Sequence, residues 1–284
     1  MAITGLDSAY AAAAAGQTNK GLFQKASSNA AASVAGHWHE FFTANGIPAA
    51  GAWSGSAGVA QQLTAANTGA LNIGVPAVSP DTRQLTSIKI QSPTATLVPA
   101  TFYLVDFLLY YPACVVTGAP TALNNTLTLP RYTSGEGVLP IIAVQTANGA
   151  AQPALTLSYT DQDGNTGNTG GVMTSPVASS AISKLYLNNG SPFMPLSGAD
   201  KGVRKIDSYT LATGTTGTVA IVLVKVLAEI DIYAINTGNL NDYFSGNDIL
   251  PKIEDNACLG FIGVAGGAMI ANAVFSGTLN NIWD

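Results

Sequence analysis

The chain has 284 residues, enough for one large β domain or two small domains with a sizeable core and no need of disulfide staples. Charged residues make up 10% of it, against roughly 25% in ordinary soluble domains, and the mean hydropathy is +0.28. A net charge of −5 argues against a nucleic-acid surface, since phosphate binding needs clustered cations; the one cationic trio, Lys201, Arg204 and Lys205, reads as a solvated turn or rim ion pair.

The first 20 residues carry an acidic residue where a signal peptide wants basic ones, and their apolar run is too short for one, so no export signal and no outer-membrane barrel are expected. Residues 1–80 hold only Asp7, Lys20, Lys25 and Glu40 as charges among many Ala, Gly and Ser, and read as an arm followed by a connector. Within the arm, Leu22, Phe23, Ala26, Ala30, Val34, Trp38, Phe41 and Phe42 recur at helical spacing and predict one helix over about 21–45. Gly46 and Pro48 end it, and the Pro-rich, small-residue stretch 49–80 is expected to drape over neighbours.

From residue 81 to 284 the pattern changes to period two, predicting an all-β domain of the antiparallel β-sandwich or jelly-roll-like kind. Strands are expected near 83–91, 100–111, 125–132, 138–146, 154–160, 182–187, 205–213, 217–232 and 257–264. In the strand over 217–232, strict alternation places Val222, Val224, Val226, Ala228, Ile230 and Ile232 on one side. Val219, Ile221 and Leu223 share the other side with Lys225, Glu229 and Asp231, an apolar stretch that needs a cover. The apolar run 257–274 is Gly-rich, contains Asn272 and lacks basic flanks, which argues against a membrane span. Cys114 and Cys258 sit in apolar stretches and are expected as buried thiols.

The candidate chemistry is sparse. His37 and His39 in "HWHE" point apart on a helix; on a strand they share a face, but with no third ligand the set is incomplete for zinc. "DQDGN" at 161–165 has its glycine too early for a calcium loop, and Asp163-Gly164 suits a hairpin turn. Asp106 lies in a strand apolar on both faces, where a carboxylate needs a partner; Arg83 and Arg131 are the candidates. No strained serine elbow, phosphate loop, dinucleotide fingerprint or paired CxxC is present, so neither an enzyme nor a cofactor or metal site is expected.

Four stretches, "LPRYTSGEGV" (129–138), "LTLSYTDQDGNTG" (155–167), "MPLSGADKGVRKIDSYTLATGTTGTVAIVLVKVLAEI" (194–230) and "NACLGFI" (256–262), together resemble a family of tailed-bacteriophage virion structural proteins. The resemblance covers most of 83–264, and its motifs are structural rather than catalytic. It implies a capsid decoration or cement protein that stabilises a phage head by broad contacts with the major capsid protein and with copies of itself. Such proteins often form trimers on threefold positions, are assembled in the host cytoplasm, and need neither nucleic acid nor membrane. On that reading Leu22, Phe23, Trp38, Phe41, Phe42, Val219, Ile221 and Leu223 are the interface, lying under a neighbouring subunit or arm. The alternatives are a shell-forming jelly-roll or tail protein, and a glycan- or receptor-binding virion protein using Trp53 or loop tyrosines.

Overall fold

The computed structural model describes residues 3, 5–27, 35–116, 121–149, 154–175, 183–211, 216–244, 250–269 and 272–284. Among them one short helix, α1 (Leu6–Ala14), precedes a series of antiparallel strands. In chain order these are β1 (Thr18–Ala26), β2 (Trp38–Glu40), β3 (Gly46–Ile47), β4 (Gln61–Gln62), β5 (Arg83–Gln91), β6 (Ala100–Val115), β7 (Thr121–Ala122), β8 (Val138–Thr146) and β9 (Ala154–Asp161). They continue with β10 (Asn168–Thr169), β11 (Met173–Thr174), β12 (Val203–Leu211), β13 (Thr218–Ile232), β14 (Asn239–Asp242), β15 (Lys252–Ile253), β16 (Leu259–Ala265) and β17 (Val274–Trp283).

Three sheets result, in a sandwich-like arrangement. The central sheet runs β2-β16-β6-β13-β8, with β4 also on β6. Its spine is the pair β6 and β13, rich in β-branched and aromatic residues and, at 16 and 15 residues, about 50 Å long. That length serves two partners. The first sheet, β14-β5-β17-β1-β3, packs its inner side chains Phe23, Ile88, Ile90, Phe275 and Leu279 onto Phe102, Leu104, Ala228 and Ile230 of the spine. The third sheet, β10-β9-β12-β7, packs Leu155, Leu157, Tyr159 and Ile206 onto the other half of the spine, at Leu109, Tyr111, Val219, Ile221 and Leu223. A third cluster fills the opposite face, where Trp38, Phe42, Trp53 and Leu63 cover Val105, Phe107, Val222 and Val224.

The alternation expected along 217–232 breaks at one place. Against β6, the register of β13 shifts between Val226 and Ala228, and a bulge there puts two residues opposite one and reverses the parity beyond it. Val222 and Val224 therefore join the cluster under Trp53, whereas Ala228, Ile230 and Ile232 join the core under the first sheet.

The helix expected over 21–45 is a correction. Residues 21–26 belong to β1, paired over its whole length with β17, and residues 38–40 form β2 on the central sheet; 28–34 lie outside the described residues. The spacing of Phe23, Trp38, Phe41 and Phe42 mimics a helical stripe, but Phe23 and Phe41 fill the core under the first sheet and Trp38 and Phe42 the cluster on the opposite face of the spine. Locally the evidence for a strand is the alternation of β1, with Gly21, Phe23 and Lys25 inward and Lys20, Leu22 and Gln24 outward. Gly21 fits this register because a Cβ there would run into the carbonyl of Asn72. The helix that does form uses the alanine run of residues 11–14, the strongest helix-forming residues, and closes its start by reciprocal bonds: Ser8 Oγ donates to Gly5 O at 2.8 Å and Gly5 N donates to Ser8 Oγ at 3.2 Å.

The span expected to be an arm and connector contributes β1 and β3 to the first sheet and β2 and β4 to the central one. Of the later expected strands, 125–132 is instead a loop that carries Arg131, and 183–187 makes only isolated bridges to Trp38–Glu40, β8 and β11. No described helix is long and apolar enough to cross a membrane.

Candidate interaction surface

Seven of the eight expected interface residues are covered by this chain's own elements. Val219, Ile221 and Leu223 are fully buried beneath β9 and β12, so the cover that their face requires is the third sheet and not a neighbouring subunit. Phe23 lies 4.8 Å from Phe261, Phe41 4.8 Å from Phe275, and Phe42 4.6 Å from Trp53, ring centre to ring centre. Trp38 stacks on Tyr103 at 5.3 Å and its indole N–H donates to Gly190 O at 2.9 Å. Only Leu22 remains outside, 63% exposed. Trp53, considered above as a sugar platform, is buried as well.

Asp106 pairs with Arg131: Nε donates to Oδ2 at 2.8 Å and Nη2 to Oδ1 at 2.7 Å. Cys258 N also donates to Oδ1 at 2.9 Å, while the guanidinium donates to Leu63 O at 3.0 Å and Phe107 O at 3.1 Å. The pair thus ties the 123–137 loop to the spine where the two cores meet, with few donors or acceptors left for a ligand. Arg83 is elsewhere, donating to Val75 O and lying over the Trp283 ring.

His39 sits on β2 with Nε2 buried and without a partner; burial, then the charges of Lys184 and His37, push its pKa down to about 3. Glu40 accepts from Thr43 N at 3.0 Å and Thr43 Oγ1 at 2.5 Å, and burial pushes its carboxyl above the usual range. Among the described residues no three of His, Cys, Asp or Glu come together as a metal site. Asp161 closes its turn by accepting from Asp163 N, Asn165 N and Asn165 Nδ2, each at 2.8 Å. Cys114 and Cys258 are free buried thiols, and burial pushes the first up to about 12. The cationic trio disperses: Arg204 donates to the carbonyls of Ser134 and Gln162, and Lys205 pairs with Asp207 at 2.9 Å.

What remains for a partner is surface, and the outer face of the first sheet is the most regular part of it. Its register aligns outward residues in rows across four strands. One row is Lys20, Asn280, Ser87 and Asp242; the next is Leu22, Thr278, Lys89 and Leu240; a third is Gln24, Ser276 and Gln91, with Ile47 on β3 beside Gln24. Leu22, Ile47 and Leu240 are each more than half exposed, and a shallow groove runs over Leu22, Ile47, Lys89 and Thr278. Sequence reasoning found Leu22 and missed the rest, because β17 and β14 are polar strands with little alternation: an irregularity between Asn280 and Asn281 and the glycine at 277 interrupt the pattern.

No protein-family model and no curated protein matches the chain. Among solved structures, the VP2 subviral particle of infectious bursal disease virus is 10% identical, with 94% of this chain and 81% of that one covered, at a TM-score of 0.18. A single-site variant of that VP2 protein, in derived T=1 particles, is 9% identical, with 94% and 78% covered, at 0.17. The likeness to this viral capsid protein is weak, is not particular to tailed-bacteriophage proteins, and transfers neither fold nor role.

Proposed function

We propose that the chain is a non-enzymatic virion structural protein that works by broad contact with other polypeptides, as a cement or decoration subunit of a bacteriophage head. The observation that carries this reading is the pairing of a charge-poor chain with an ordered outer sheet face made mostly of Leu, Ile, Thr, Ser, Asn and Gln, on whose aligned rows Lys20, Lys89 and Asp242 are the charged residues. Neutral side chains lose less than ions on leaving water, so broad contacts form with few charges to desolvate. The four stretches that resemble phage virion proteins supply the virion context, and the major capsid protein and further copies of this chain are the partners that context implies.

Density-gradient fractionation of lysates from cells that naturally make the chain tests the reading. It should travel with particles and stay on them through a wash in concentrated salt, because contacts between neutral surfaces are little screened. A chain left wholly at the top of the gradient overturns it.

A further inference from the structure

We infer that the outer face of the first sheet is a docking site for a second copy of the same face, related by a two-fold axis parallel to the strands. The inference rests on the structural-subunit reading and goes beyond it by naming the surface and the symmetry. It follows from how charge is laid out across the rows. Lys20 stands at the β1 edge and Asp242 at the β14 edge of one row; Leu22 and Leu240 take the same two edges of the next, and Lys89 stands inside it beside Thr278. Both Lys20 and Asp242 are exposed.

A two-fold axis between β5 and β17, parallel to them, exchanges the two edges and keeps each row at its own height. It lays Lys20 over the partner's Asp242 and Asp242 over the partner's Lys20. The same rotation lays Leu22 on the partner's Leu240, twice, and Lys89 on the partner's Thr278. The axis perpendicular to the strands instead lays each strand on its own copy, so Lys20 meets only β1, which has no anion, and an axis through the Lys89 row also sets Lys89 against Lys89. Isologous contacts need such self-complementarity, and strands that stay nearly parallel across the contact match the aligned packing of twisted sheets. Three strands about 30 Å long and the four-residue β14, all about 4.8 Å apart, present roughly 500 Å² of flat face, at the low end for a specific interface. The pair on its own is therefore weak, and other contacts in a particle would reinforce it.

The test is sedimentation equilibrium of the full chain up to several hundred micromolar at low salt, with circular dichroism to show that each variant folds. Lys20→Asp and Asp242→Lys each put two like-charge pairs into the contact and should weaken self-association about tenfold. The double variant Lys20→Asp/Asp242→Lys restores opposite charges and should return to within about threefold of the parent. Leu22→Arg, facing the partner's Leu240, should abolish association. Self-association that the single charge variants leave unchanged overturns this docking while leaving the structural-subunit reading standing. A wild-type chain that stays at 28.9 kDa throughout overturns the docking as well, and particle incorporation then decides the proposed function separately.

Discussion

Replacing Arg131 by methionine isolates the group on which the junction of the two cores depends. Asp106 is fully buried, and Arg131→Met removes both of its guanidinium contacts, leaving only the Cys258 amide to face the carboxylate. A buried charge stripped of its partner costs about 3–5 kcal/mol, and the carbonyls of Leu63 and Phe107 lose a donor as well. At about 2 °C per kcal/mol for a chain of this size, the melting temperature should fall by about 6–10 °C. Guanidinium unfolding at pH 7 gives the free energy directly. The deficit should shrink toward pH 5, because a lone buried carboxyl binds a proton more readily and the neutral acid is cheaper to bury. Asp106→Leu/Arg131→Met removes both charges and should recover much of the loss, short of the wild type because Cys258 N is left unpaired. An Arg131→Met protein within about 1 kcal/mol of the wild type, or a double variant no better than the single, would refute the claim that the pair is a tie whose halves depend on each other.

Ile221→Asp should unfold the subunit, since the position is fully buried between β13 and the third sheet; a soluble variant with native circular dichroism would contradict that packing. His39 predicts an acid limb. Its folded pKa of about 3 lies below the unfolded value near 6.5, so keeping it neutral stabilises the fold fully above pH 6.5, and that contribution is lost as pH falls toward 3. Between pH 6.5 and 4.5 the loss is about 2–3 kcal/mol at about 1.4 kcal/mol per pH unit. Glu40, its carboxyl raised by burial, acts in the opposite sense, so the comparison to make is His39→Phe against wild type. The variant should lose less stability over that interval, and parallel pH profiles would refute the assignment.

By itself the sequence determined the class of the fold and much of its ladder. Period-two alternation of β-branched and aromatic residues is a local property, and β5, β6, β8, β9, β12, β13 and β16 all stand within a few residues of where that alternation put them. It also determined that Asp106 needs a cation, because burying a carboxylate is costly wherever the chain goes; which arginine answers was settled only by the loop that brings Arg131 to the spine. Tertiary structure decided what covers what. Phe23 and Phe41 are compatible with a helical stripe until β17 pairs with β1, a contact between residues more than 240 apart that no local pattern encodes. A bulge that moves three apolar residues of β13 from one core to another changes parity without any mark in composition. The same holds for the face of Val219, Ile221 and Leu223: its apolarity was plain from the residues, but a strand has two neighbours in sequence and many in space, and only folding shows whether the covering surface belongs to the same chain.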